Sequence, residues 1–365
     1  MTPQYKIYGT RFSLYTGKVR SYFLKKGIPF DEVLSTVSVY KKFIVPRTGV
    51  RYIPVVQTPE DKVLQDTTVI IDELEKRFPE NSVYPTTPKQ HLISLLLETY
   101  GDEWLVIPAM HYRWSFDETN QPFVFQNFGQ VLMPRAPKFI RARLGKKIGD
   151  RFRSMVPLLG IKQQTIPAIE SSFTQLLSDM EQHFLQHDYL LGGKPSIADF
   201  AFIGPFFAHL YSDPYPGKLL REQAPAVTGW VERMMDQQNQ DGKFLKDDQI
   251  PDTLLPILKR MVDEQLPVLI DTDKQLSQWR KSNPDSSIPR SIGNHQFKVE
   301  GVTGERTIIP YALWMFKRPV DYYQSLGEDG KSEVKELISN LGLIDALGHG
   351  LENNLIRVNN KLEFS

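Results

Sequence analysis

Over residues 1–84 the sequence switches repeatedly between two hydrophobic periods, and the order of the switches leaves few folds open. "YKIYG" has the short apolar run of a strand. The segment after it carries Val19, Tyr22 and Phe23 on one side and stops at Gly27, as a helix does. "IPFDEVL" reads as a second strand, and a helix around Tyr40 to Val45 follows. "RYIPVVQ" and "KVLQ" form a hairpin joined by the turn "TPED". "TTVIIDELEKRF" is a helix that closes before Pro79. Strand-helix-strand-helix-strand-strand-helix is a compact α/β unit.

The pattern then changes. "PENSVYPTTP" is a Pro-rich linker, and from Lys89 to about Phe244 the periodicity is helical. "HLISLLLETYGDEWLVIPAMHYRW" reads as one long helix, or two, interrupted near Pro108. A basic stretch follows, with Arg135, Lys138, Arg141, Arg143, Lys146, Lys147, Arg151 and Arg153, expected as an exposed insertion. "SSFTQLLSDMEQHFLQ" is amphipathic, and "PSIADFAFIGPFFAHL" is apolar enough for a buried helix. After it come a helix around "LLPILKRMVDEQLPVLIDTDKQLSQW", a hairpin of "HQFKVEG" and "ERTII" joined across Val302 to Gly304, and two short helices. The expected domains are 1–84 (α/β), 89–245 (all-α) and 246–365 (an α+β extension). Leu254, Leu255, Leu258, Met261 and Val262 give the extension an apolar helix face that should pack on the helical domain.

Composition removes several function classes. The chain of 365 residues has no cysteine. Disulfides, thiolate metal sites and a protein-borne thiol nucleophile are therefore excluded, and thiol chemistry has to come from a bound small molecule. The formal net charge of +1 offers no global field for nucleic acid. "MTPQYKIYG" has no basic segment followed by an apolar core, and the apolar runs are too short to span a bilayer. The expectation is a soluble cytoplasmic protein with no membrane insertion, no nucleic-acid partner and no metal.

Three positions stand out from this background. Pro54 lies inside a segment that otherwise reads as a central strand, where it cannot donate to a ladder. In a thioredoxin-type order it is expected cis, with the N–H and C=O of Ile53 offered to a peptide-like ligand. Asp66 and Thr67 open a helix. Either can cap it, while the helix N-terminus attracts a carboxylate and Asp66 can pair with an ammonium. Ser196 to Asp199, "SIAD", is a capping box with Asp in place of Glu, a structural feature. His183 and His187 have the spacing of a helical metal pair but no third ligand near them in sequence, so they read as histidines on a solvated face. "GEDGKS" lacks the strand of a phosphate loop and reads as a turn and helix cap.

The segments "RFSLYTGKVRSYFLKKGIPF", "RYIPVVQ", "LQDTTVIIDELEKRFP" and "YLLGGKPSIADFAF" together resemble the glutathione transferase superfamily, over residues 1 to about 240. The resemblance implies a thioredoxin-like domain that binds glutathione and an all-helical domain that receives its small hydrophobic electrophile, in a homodimer. It implies that Ile53, next to Pro54, holds the cysteinyl backbone and that Asp66 and Thr67 hold the γ-glutamyl end. Arg51 is the candidate for the glycyl carboxylate, in a loop without the family's usual lysine or glutamine spacing. Laid on the serine and cysteine classes, counting back from Lys18 and Arg20, Ser13 takes the catalytic position, with Tyr15 and Thr16 as alternates. Trp104, His111 and Tyr112 would face the electrophile; the other reading of that helix is domain-interface core. The implied reaction is attack of a glutathione thiolate on an electrophile, as in conjugation for detoxification, or glutathione-assisted ether cleavage or isomerisation. A non-catalytic binding or scaffold protein on the same fold is the alternative.

Overall fold

A computed structural model describes residues 4–237 and 242–365. Strand β1 (Tyr5–Gly9) leads into α1 (Leu14–Lys25), β2 (Phe30–Leu34), and a helical segment of α2 (Val37–Val39), a π-turn (Tyr40–Ile44) and α3 (Val45–Thr48). Next come β3 (Val55–Gln57), β4 (Val63–Gln65) and α4 (Thr67–Arg77). The sheet order is β2-β1-β3-β4. β1 and β2 are parallel, from Tyr5 opposite Phe30 to Gly9 opposite Leu34, and the other pairs are antiparallel. This is the thioredoxin-like topology. Ile7 of β1 is fully buried, and so are both Val55 and Val56 of β3, which point to opposite faces, because the sheet is covered on both sides.

The helical part runs through α5 (Pro88–Glu103), α6 (Val106–Trp114), α7 (Asp117–Leu132), α8 (Lys138–Arg153), α9 (Ile166–Phe184), α10 (Ile197–Pro205), α11 (Pro214–Gln223) and α12 (Pro225–Met234). The break in the long apolar segment falls at Trp104 and Leu105, not at Pro108. Pro108 sits in the first turn of α6, where its missing N–H has no intrahelical acceptor to lose.

The remainder holds α13 (Leu255–Glu264), α14 (Leu266–Ser282), β5 (Asn294–Val299), β6 (Val302–Thr307), α15 (Pro310–Ser325), α16 (Glu328–Leu341), α17 (Ile344–Gly348), β7 (Leu355–Val358) and β8 (Lys361–Phe364). Three of its details differ from the sequence reading. The single expected helix is two, divided at Gln265. The first hairpin turns at Glu300–Gly301, both with positive φ (45° and 78°), and Val302 to Gly304 belong to β6. That is the two-residue turn whose twist matches the strands. Three helices, not two, follow it, and then a second hairpin turns on Asn359–Asn360, again at positive φ.

The chain forms two compact units that interleave in sequence. One comprises Met1–Ser82, Pro108–Val156 and Phe202–Gln240; the other comprises Val83–Ile107, Pro157–Ala201 and Asp241–Ser365. The extension thus shares a unit with α5 and α9. Its Asp248 carboxylate accepts from the N–H groups of Lys89 and Gln90 (2.7 and 2.9 Å), capping α5 from 158 residues away. Gln265 donates to the Thr99 carbonyl at 3.1 Å, and the Tyr322 ring stacks on His91 at 4.1 Å. Ile257, Leu258 and Met261 of α13 are buried, each contributing about 1.5–3 kcal/mol of apolar burial.

Candidate active site

The site grows from two helix N-termini in the first unit. Ser13 is the N-cap of α1, and its Oγ accepts the N–H of Thr16 at 3.3 Å. Ser13 is half-buried, and its own O–H has no acceptor among the described residues. Thr16 differs. It is fully buried, its Oγ1 has no partner among the described residues, and its side chain fills the space over Gly9. A Cβ at Gly9 would lie 2.3 Å from Thr16 Cγ2. Tyr15 is half-buried in the same turn.

Asp66 caps α4 from a backbone at φ 85°, and its carboxylate accepts from Thr68 N (3.0 Å) and Val69 N (3.3 Å). Thr67 is buried at the first helical position. The Lys18 ammonium, fully buried, reaches within 3.5 Å of Thr68 Oγ1 and so links the two helix starts. Ile53–Pro54 is cis. Ile53 is half-buried, and neither its N–H nor its C=O has a hydrogen-bond partner among the described residues. Arg51 is exposed.

A buried network that the sequence reading missed holds the segment before Ser13. Arg113 makes two 2.7 Å bonds to Asp213, donates to His209 Nε2 at 2.8 Å and to the Phe12 carbonyl at 3.3 Å. Burial, and then the neighbouring guanidinium, push the His209 imidazolium far below the usual range. The ring is therefore neutral. Nε2 accepts from Arg113, and Nδ1–H donates to the Ala109 carbonyl at 3.3 Å. Only a distant Asp and His distinguish Arg113 from any helical surface arginine, so no local pattern reveals it.

The three electrophile candidates belong to different units of the chain. His111 and Tyr112 are buried in the first unit. Ser115 Oγ lies 2.8 Å from His111 Nδ1, and the Tyr112 ring stacks with Phe116 and Tyr215. Trp104 belongs to the second unit, where its indole N–H donates to Glu264 at 3.1 Å and the Arg306 guanidinium lies 5.0 Å over its ring.

Half of the expected capping box forms: Asp199 reaches back to accept from Ser196 N (2.9 Å), but the Ser196 hydroxyl also donates to that carboxylate (3.0 Å) and does not accept the Asp199 N–H, which bonds the Ser196 carbonyl. His183 is not on a solvated face. It is fully buried, with Nδ1 2.8 Å from Thr253 Oγ1 and Nε2 3.2 Å from the Tyr189 carbonyl. The apolar stripe of α9 turns it inward, where the Thr253 hydroxyl and the Tyr189 carbonyl replace water. Among the described residues no group of His, Asp and Glu is arranged to hold a metal ion, and no helix is long and apolar enough to cross a membrane.

Two domain profiles match this chain: the glutathione S-transferase N-terminal domain over residues 7–82, and the glutathione S-transferase C-terminal domain over 163–233. These two segments belong to the glutathione S-transferase domain families. No curated protein matches it. Among solved structures it is similar to the beta-etherase LigF of Sphingobium sp. strain SYK-6, at 20% identity and TM-score 0.43, over 64% of this chain and 95% of that one. It is also similar to a Tau class glutathione S-transferase from mango, Mangifera indica (16%, 0.42, 69% and 95%). A third is a glutathione S-transferase from Methylobacillus flagellatus KT with glutathione bound (18%, 0.38, 64% and 95%). The matched profiles cover the β1–α4 segment and α9–α12, so the glutathione transferase fold includes Ser13, Ile53, Asp66 and the Asp199 box.

Proposed function

We propose that this protein binds glutathione on the sheet unit and activates its thiol for attack on a small electrophile, in conjugation, ether cleavage or isomerisation. The observation that carries the reading is the Ser13 hydroxyl. It accepts a helix N–H while its own proton is uncommitted, so it can donate to a sulfur anion. The accepted N–H polarises the hydroxyl and strengthens that donation. A thiol has a pKa near 8.5, so thiolate is scarce at neutral pH without help. The α1 dipole supplies up to ~2 kcal/mol, and a hydrogen bond to the anion about 1.5–3 kcal/mol. The thiol proton leaves to solvent, and the sulfur lone pair forms the bond to the electrophilic carbon while that carbon's bond to its leaving group, or its π-bond, breaks and carries the electron pair away.

The open N–H and C=O of Ile53 support an antiparallel grip on the cysteinyl backbone. The charge of Asp66 suits the ammonium of a γ-glutamyl group, and the Thr67 N–H at the positive end of α4 suits its carboxylate. Arg51, exposed nearby in sequence, is the proposed partner of the glycyl carboxylate. Thr16 fits the catalytic role poorly, because its hydroxyl is sealed against Gly9.

The test is turnover, and the pKa of bound glutathione, for Ser13→Ala, Tyr15→Phe and Thr16→Val measured together. Ser13→Ala should lower turnover about 10- to 100-fold and raise the thiol pKa, since ~1.4 kcal/mol is tenfold. Thr16→Val should leave both unchanged, because it removes a hydroxyl that has no partner. Full activity in Ser13→Ala with loss in Tyr15→Phe would make the site tyrosine-type. Glutathione binding without turnover of any electrophile in the native protein would make the chain a binding protein.

A further inference from the structure

The α7–α8 hairpin is a basic surface with an apolar tip, and the established family does not explain it. Helix α8 carries seven Lys and Arg residues against one acid, Asp150, in a chain whose net charge is +1. Asp150 pairs with Lys146. Ile140, Arg143, Lys147 and Arg151 recur at a spacing that makes one stripe along the helix, and all four are exposed. The three cations of the stripe have no ion pair among the described residues.

The two helices of the hairpin pack closely. Gly145 and Gly129 let the two backbones touch: a Cβ at Gly145 would lie 2.0 Å from the Phe125 carbonyl oxygen, and one at Gly129 would lie 2.1 Å from that of Arg141. Both glycines face the partner helix, which leaves the charged stripe on the opposite side of α8. At the tip Phe139 is 74% exposed, with Met133 and Ile140 exposed beside it and Arg135 and Lys138 among them. A solvated face keeps lysines and arginines and does not need an open phenylalanine next to two more apolar side chains.

We infer that this hairpin docks the protein on an anionic lipid surface. The cations of the stripe lie against headgroup phosphates and carboxylates, and the tip residues Met133, Phe139 and Ile140 enter the interfacial layer. A basic stripe joined to an apolar edge is the surface such a layer recognises. Nucleic acid would use the same cations but gives aliphatic Met133 and Ile140 nothing to enter. Because the charge is local, the near-zero net charge of the chain does not oppose it: a surface potential acts within about 8–10 Å.

The experiment is cosedimentation of the full chain with vesicles of phosphatidylcholine alone and of phosphatidylcholine with 30% phosphatidylserine, roughly the anionic fraction that gives such surfaces their potential. Binding to the anionic vesicles should be at least about tenfold stronger, and should fall steeply between about 0.1 and 0.5 M salt. Arg143→Glu with Lys147→Glu should abolish the preference for anionic vesicles. Phe139→Ser should weaken binding about tenfold while keeping the salt dependence. All the substituted side chains are exposed, so unchanged circular dichroism and melting temperature certify the fold. Equal binding to both vesicles, no vesicle binding, or insensitivity to these substitutions would overturn the inference. Salt-sensitive binding of a duplex or single-stranded RNA without vesicle binding would overturn it in favour of a nucleic-acid surface.

Discussion

Ser13 in the first unit and His183 in the second are both polar side chains beside a helix end, yet they are used in opposite ways. Ser13 is half-buried and spends one lone pair on Thr16 N–H, with its proton free. His183 is fully buried and both ring nitrogens are bonded. Asp199, also buried, accepts from Leu190 N and from two atoms of Ser196. Where every donor and acceptor is satisfied within the chain, a polar group has nothing left for a ligand and its role is architecture. Where capacity is spare and the atom can reach solvent, chemistry has room. Thr16 marks the limit of the rule, since its hydroxyl is spare but sealed.

This contrast can be broken first at Arg113, which combines both uses: it is buried, and it holds the Phe12 carbonyl. Arg113→Met should cost about 3–5 kcal/mol, because Asp213 is left buried and unpaired. Adding Asp213→Leu should restore much of that stability in urea unfolding. Turnover should stay low in the double variant, because the Phe12 carbonyl just before Ser13 has then lost its Arg113 donor.

The next effect is on pH. Burial lowers the His183 pKa to about 4, against about 6.5 unfolded. The neutral tautomer donates from Nε2 to Tyr189 and accepts at Nδ1 from Thr253. As pH falls below about 6.5 the unfolded chain takes up a proton that the folded chain refuses, so stability falls until about pH 4 and then levels. The loss is about 3 kcal/mol. Unfolding free energy against pH should show that slope, and His183→Gln should flatten it while leaving the thiol pKa of bound glutathione unchanged.

In the first unit the reverse is expected. Ser13→Gly keeps the cap within a few tenths of a kcal/mol, since glycine is tolerated at an N-cap, yet should lose turnover about 10- to 100-fold. A melting temperature that fell in step with turnover would erase the distinction. The smallest effect is at Asp66. Asn caps as well as Asp, so Asp66→Asn should leave stability unchanged. It should weaken glutathione about two- to fivefold by titration calorimetry, the worth of an exposed charge pair.

Much of the first unit was legible because its signals are local. The strand and helix periods, Gly27 as a stop, Pro54 and the caps Ser13 and Asp66 each depend on residues a few positions apart. The same holds for "SIAD". The hairpin turn at Glu300–Gly301 was displaced by two residues because "VEGVTG" offers two glycines, and only the pairing of Phe297 with Gly304 chooses between them. The second hairpin was also local, in "VNNK", but its strands are four residues each, too short for alternation to register.

What the sequence determined by itself is the order of elements, the absence of any protein thiol and the residue types at the two helix starts. Those follow from backbone propensity and composition, which act at short range. Tertiary structure alone decided which hydroxyl in "SLYT" is sealed and which is open, because that depends on Thr16 of α1 meeting Gly9 at the end of β1. It also decided that α5 is capped by Asp248, that His183 is neutral and buried, and that Arg113 meets Asp213 and Phe12. Each is a contact between residues from 7 to 159 positions apart. Burial and partner, not residue type, set the charge and the spare bonding capacity of such groups.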